Sequence, residues 1–119
     1  MPIGNYKNLL IWQRSFKLAL VIYQITVRYP RSELYGLTSQ TRRCVVGIPA
    51  NIAEGFARKS RKEFIQFLFI ALGSAAELET HLMLAVELWY VKSEELSTPL
   101  RELEEIMRMI HSLIKKLKN

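Results

Sequence analysis

A chain of 119 residues, half of them apolar, is long enough for one core of modest size and too short for two, so residues 1–119 are expected to form one domain. All eleven acids are Glu, which suits helices and removes the residue most used in calcium loops and catalytic triads. The single cysteine, Cys44, excludes an intrachain disulfide and suits a reducing compartment, while the net charge of +6 suits a polyanionic partner.

The first helix is predicted over Asn8 to Tyr29, stopped by Pro30, with Leu9, Trp12, Phe16, Ala19, Ile22 and Tyr23 on one side. Lys7, Arg14, Lys17, Arg28 and Arg31 fall near one line on its polar side. Such a line either is a solvated helix face or follows the phosphates of a nucleic acid.

A second helix starts between Leu34 and Thr38 and is predicted to end at Gly55, a residue suited to capping. Leu37, Thr41, Cys44, Val45, Ile48 and Ile52 share one face and read as core. Gln40, Arg43, Gly47, Asn51, Glu54 and Arg58 share another and must face solvent, a partner, or a polar network inside a bundle. Pro49 removes the hydrogen bond to the Val45 carbonyl, and a kink is expected there.

Phe56 to Lys59 turns the chain, and Ser60-x-x-Glu63 is a capping box that opens a third helix. That helix is expected to run to about Tyr90, or ~45 Å at the standard rise. Its opening stretch, Phe64 to Leu72, is apolar nearly all round, so a single bundle core cannot cover it and a second buried face is required. If helices two and three form a hairpin, Arg43 lies within one turn of Ser74 and Glu77, and an Arg43–Glu77 pair is expected, with Asn51 and Gln40 extending the same groove. The row of Gln40, Arg43, Asn51, Glu54 and Glu77 then either fixes helix register or lines a binding groove.

The fourth helix is expected to begin near Thr98-Pro99, with Thr as cap and Pro at the first helical position. Leu100, Leu103, Met107, Ile110, Ile114 and Leu117 follow in steps of three and four. Four amphipathic helices joined at 30–36, 56–59 and 91–97 predict an all-α fold, an up-down-up-down four-helix bundle, and the all-round apolar start of helix three together with Trp12 and Trp89 adds the expectation of a closed homo-oligomer.

Residues that would carry catalysis are missing from the pattern. Glu77 precedes His81 by four residues rather than the three of a di-iron motif, His111 stands apart, and no metal site is expected. The five glycines are scattered singly, so no phosphate loop and no cofactor is expected. Adjacent carboxylates such as Glu104 and Glu105 lie among solvated positions and do not make an acid and a base. Neither a secretory leader nor an apolar run long enough to span a bilayer is evident, since Phe67 to Leu72 is the longest, and a cytoplasmic, membrane-free protein is expected.

Charge is uneven along the chain. Residues 1–62 hold eleven Lys and Arg against Glu33 and Glu54, a net of +9, whereas residues 63–119 hold six against nine, a net of −3. A phosphate-binding surface is therefore expected from Arg14, Lys17, Arg28 and Arg31 of helix one and from Arg58, Lys59, Arg61 and Lys62 of the turn. Without interleaved aromatics, backbone attraction rather than base reading is expected.

One resemblance rests on named residues. Gln40-x-Arg-Arg43, Ile48-Pro-Ala-Asn-Ile-Ala-Glu-Gly55, Ser60-x-Lys62-x-Phe64 and Gly73-Ser-x-x-Glu77-Leu-Glu-Thr80 resemble the four-helix-bundle family encoded in intervening sequences of bacterial 23S ribosomal RNA genes. The similarity runs from Leu10-x-Trp12-Gln13 to the last helix, with Gly47 standing where that family is expected to have Ser. The resemblance implies a small helical subunit, pentameric, whose relatives include accessory proteins of diversity-generating retroelements thought to bind a reverse transcriptase and RNA. Residues and resemblance together give a non-enzymatic, oligomeric scaffold that associates with RNA through a basic surface. The alternative is a protein-interaction module that docks a protein partner such as a reverse transcriptase.

Overall fold

The structure, a computed structural model, describes residues 4–119. Four α-helices carry it: α1 (Leu10–Thr26), α2 (Leu37–Ala57), α3 (Arg61–Glu87) and α4 (Ser93–Lys118). Short 3-10 turns over Tyr6–Asn8 and Arg31–Glu33 precede α1 and α2. Among the described residues there is no strand.

Each boundary has a local cause. The residues ahead of α1 form the 3-10 turn because Asn5 Oδ1 accepts from the Lys7 N–H at 2.9 Å, so α1 starts at Leu10 rather than Asn8. It ends at Thr26, short of Tyr29. The Leu37 N–H that opens α2 donates to Glu33 Oε1 at 3.0 Å, an anion at a helix start. Ser60 caps α3 as its motif predicts, accepting from the Glu63 N–H at 3.1 Å while its hydroxyl donates to Glu63 at 3.0 Å.

Two further boundary expectations fail. Gly55 does not cap α2, which runs on to Ala57, and the chain turns instead at Lys59, with φ 65. Gly55 is buried where α2 meets α3, and a Cβ there would stand 2.5 Å from Phe67 Cβ, so the residue serves close helix approach. The fourth helix begins at Ser93, ahead of the expected Thr98, and encloses Pro99. Glu95 accepts from the Lys92 N–H at 3.2 Å and supplies the start that Thr98 was expected to provide. Burial of Leu96 and Pro99 with Leu103 offsets the hydrogen bond that Pro99 cannot make. Pro49 likewise lies buried inside a continuous α2.

α1 packs on α2 and α4, and α3 packs on the same two, which leaves α1 diagonal to α3 and α2 diagonal to α4. α2 and α3 are the most intimate pair. Contacts between them fall in reverse order along the two helices: Cys44 meets His81, Gly47 meets Ser74 and Gly55 meets Phe67. All four helices feed one apolar cluster, with Ile22, Val45, Ile48, Ile52, Phe64, Leu68, Leu78, Leu82, Leu103, Ile106 and Ile110 wholly buried. The core face of α2 is the one its pattern predicts. On α1 it is displaced, since Ile11, Ser15, Leu18, Ala19, Ile22 and Ile25 point inward whereas Phe16 and Tyr23 stay exposed. Tyr23 is drawn to the α2 side by Arg42, whose guanidinium lies 4.6 Å from its ring centroid.

By length and composition α3 is apolar enough to cross a bilayer, a property that it shares with helices buried in the core of a bundle. Only 28 % of the window that qualifies it is buried within one copy. Phe69 and Ile70 remain outside, as the all-round apolar opening of the helix requires, and Met83 and Leu84 are exposed further along it.

Candidate nucleic-acid interface

The basic line on α1 does not face solvent as a row. Arg14 Nε and Nη2 donate to the two oxygens of Glu102 at 2.7 and 2.8 Å, and Nη1 donates to Glu105 at 2.9 Å. The Arg14 side chain is only 23 % exposed, and its charge is satisfied by α4. Arg28 Nη2 lies 2.6 Å from Glu95 Oε2, also on α4. These contacts hold Glu102, Glu105 and Glu95 below the usual carboxylate range and keep Arg14 firmly protonated. Of the four residues of helix one expected to follow phosphates, Arg14 and Arg28 are therefore engaged by carboxylates of α4, Arg28 while still 55 % exposed, and Lys17 and Arg31 are left exposed and without an ion pair among the described residues. The excess of cations in one half of the sequence and of anions in the other is partly an α1–α4 complementarity.

The turn between α2 and α3 keeps its expected cations in solvent. Arg58, Lys59, Arg61 and Lys62 are all exposed. Arg58 makes loose pairs with Glu54 at 3.4 Å and Glu63 at 3.8 Å and covers the Phe67 ring at 5.1 Å. Among the described residues, no ion pair holds Lys59, Arg61 or Lys62. The last turn of α4 comes to the same end of the molecule, since Lys118 Nζ sits 5.3 Å from the Phe69 ring centroid. It adds exposed Lys115 and Lys116. Seven cations thus gather at one end against Glu54 and Glu63. The lysines of α4 are the members that charge counting by halves overlooked, because they lie in the half whose net charge is negative. Their crowding into one terminal turn was the available signal.

Gln40, Arg43, Glu54 and Glu77 are exposed and Asn51 is half-buried, donating to the Gly47 carbonyl at 2.7 Å. Among the described residues, Arg43 and Glu77 form no ion pair, which corrects the expected contact. Both flank Cys44, whose Sγ lies 3.6 Å from His81 Nδ1, a histidine that only the fold brings near. Burial, reinforced by Glu77 and opposed by Arg43, pushes the Cys44 thiol up and keeps it from serving as a ready thiolate. Among the described residues, no group of three or more His, Cys, Asp or Glu side chains is placed to hold a metal ion.

At the opposite end, Glu33 joins the two remaining connections. It accepts from the Leu37 N–H and from the Tyr90 hydroxyl at 2.7 Å, which lowers its own titration and raises that of Tyr90. Tyr90 also packs on Tyr29, with ring centroids 5.7 Å apart. Burial, opposed by neighbouring Arg28, pushes the Tyr29 phenol up to about 12. Just before Tyr90, Trp89 stands 93 % exposed.

Fold and surface together define a small four-helix protein whose unpaired cations cluster at one end and whose two most exposed aromatic side chains, Tyr35 and Trp89, lie at the other. The family model of the 23S rRNA-intervening sequence protein matches residues 7–112, and the chain belongs to that family. Among solved structures, the chain is similar to a protein with unknown function from the S23 ribosomal protein family of Bacteroides thetaiotaomicron VPI-5482, at 29% identity and a TM-score of 0.79. That similarity covers 89% of this chain and 99% of the other. No curated protein matches the chain. Neither the family description nor this relative indicates an enzyme.

Proposed function

We propose that this chain is the non-enzymatic subunit of a closed homo-oligomer, an up-down-up-down bundle that associates with RNA of the 23S intervening-sequence type through its basic end. The observation that carries this reading is the cluster of Lys59, Arg61, Lys62, Lys115, Lys116 and Lys118, exposed together at one end. Phosphates attract such a surface without sequence preference, and each contact to a single strand contributes about −0.7 to the slope of log affinity against log salt. Changing Lys59, Arg61 and Lys62 to Gln should flatten that slope by up to ~2 units in binding measured by anisotropy. Failure of the unaltered protein to bind any RNA at low salt would overturn the reading and leave the protein-interaction alternative.

Assembly is supported by two separate apolar faces. Phe16, Leu20, Tyr23 and Val46 border the α1–α2 side, and Ile70, Leu84 and Leu88 lie along α3. Two different faces are what a head-to-tail ring needs, and family resemblance favours a ring of five. Light scattering at micromolar concentration should give a multiple of 13.9 kDa, and a clean monomer would refute assembly. The lone, buried Cys44 suits a reducing compartment, and the cytoplasm is the proposed location.

A further inference from the structure

Trp89 stands where the chain has least use for tryptophan. It follows the last residues of α3 with φ 67, and its N–H and that of Tyr90 return to the carbonyls of Val86 and Ala85 at 3.0 Å each. This is the left-handed helix stop that glycine adopts without strain and that a bulky side chain adopts at a cost. The cost is not recovered by burial, since the side chain is 93 % exposed. A strained, solvated indole points to a role outside the fold.

Its surroundings select the partner. Trp89 borders a concavity of about 560 Å³ whose rim includes Glu87, Tyr90, Lys92, Glu94 and Glu95. Glu95 is held by Arg28, so Glu87 and Glu94 are the carboxylates free to meet a ligand, against one ammonium, Lys92. Carboxylates beside an exposed indole repel phosphates and suit a guanidinium or ammonium, which gains a cation–π contact and an ion pair together. We propose that this concavity docks an Arg- or Lys-bearing segment of a partner protein, with Trp89 as its anchor. The site lies at the end away from the basic cluster and stands whether or not that cluster binds RNA.

Trp89 reports on its own site. Titrating the intact protein with a blocked peptide of alternating Arg and Leu should change the indole emission saturably, and Trp89→Gly should abolish the change, leaving only the signal of Trp12. Because glycine relieves the left-handed strain, Trp89→Gly should unfold about 2–5 °C higher than the parent. Paired Glu87→Gln and Glu94→Gln changes should weaken the peptide by about tenfold, whereas Lys92→Gln should tighten it. Should the glycine variant fail to fold, these charge variants, which leave the backbone untouched, decide the matter. Equal binding of a matched Glu and Leu peptide or of oligo(U) would overturn the proposal. So would an indole already shielded from acrylamide in the isolated protein, which would give the site to a second copy of the chain.

Discussion

Three glycines lie inside helices, and the structure assigns each a different response to alanine. In an open helix interior, Gly→Ala gains roughly 1 kcal/mol from backbone propensity alone. At Gly73 a new Cβ meets nothing within 4 Å, so Gly73→Ala should collect that gain. At Gly55 the same atom would stand 2.5 Å from Phe67 Cβ and 3.1 Å from Phe64 Cδ1, where ordinary carbon contacts need about 3.5–4.0 Å. Phe67 Cβ is fixed to the α3 backbone and cannot rotate away, so the helices must separate by ~1 Å, an overpacking cost of about 2–3 kcal/mol. Net of propensity, Gly55→Ala should destabilise by about 1–2 kcal/mol, which puts the two variants on the order of 2–3 kcal/mol apart. At Gly47 the close atom is Ser74 Oγ at 2.9 Å, the end of a side chain that can turn, and Gly47→Ala should be near neutral. Urea unfolding followed by far-ultraviolet circular dichroism, at one fixed protein concentration, measures all three. A Gly55→Ala variant as stable as the parent would refute the close approach of α2 and α3.

The remaining predictions concern charge. Arg14→Gln should cost about 1–2 kcal/mol, the forked contact being discounted for its partial exposure, while the salt slope of RNA binding stays unchanged. Glu102 titrates below its unfolded value, so its contribution is present above that value and is lost as pH falls through the lower folded one. On acidification from about pH 5 to about pH 3 the parent should therefore lose more stability than Arg14→Gln, and parallel losses would show that the pair does not couple to folding. Arg43→Ala, Glu77→Ala and their double variant should be additive within about 0.5 kcal/mol, because both side chains are exposed and unpaired with one another; a larger coupling would restore the expected contact.

Local chemistry made much of the fold readable. The Ser60–Glu63 cap acts within one turn, and the apolar stripe of α2 is a property of helix period, so both appear where the sequence puts them. What escaped depends on partners distant in sequence. Arg14, Lys17, Arg28 and Arg31 look alike as sequence, and only Glu95 and Glu102 of α4, more than sixty positions away, separate Arg14 and Arg28 from Lys17 and Arg31. Gly55 satisfied the composition rule for a cap while serving the packing of another helix, and Pro99 satisfied the rule for a first position while sitting further in. In each case one residue is compatible with two roles, and only contacts made in the folded chain choose between them. The candidate surface was half legible: the turn from Arg58 to Lys62 was read directly, whereas Lys115, Lys116 and Lys118 join it only through the packing of α4 on α3.

Pro99 has a consequence for how the molecule breathes. With no N–H to offer the Glu95 carbonyl, it removes one rung from α4 and leaves the stretch from Ser93 to Thr98 held to the remainder by fewer amide bonds than any comparable length of that helix. In native-state hydrogen exchange this stretch should open as a unit of its own, its amides exchanging well before those around Ile106 and Ile110. Glu95 travels with it, so each opening frees Arg28 and reshapes the concavity beside Trp89, and this excursion of the bundle falls at the end where Trp89 meets solvent.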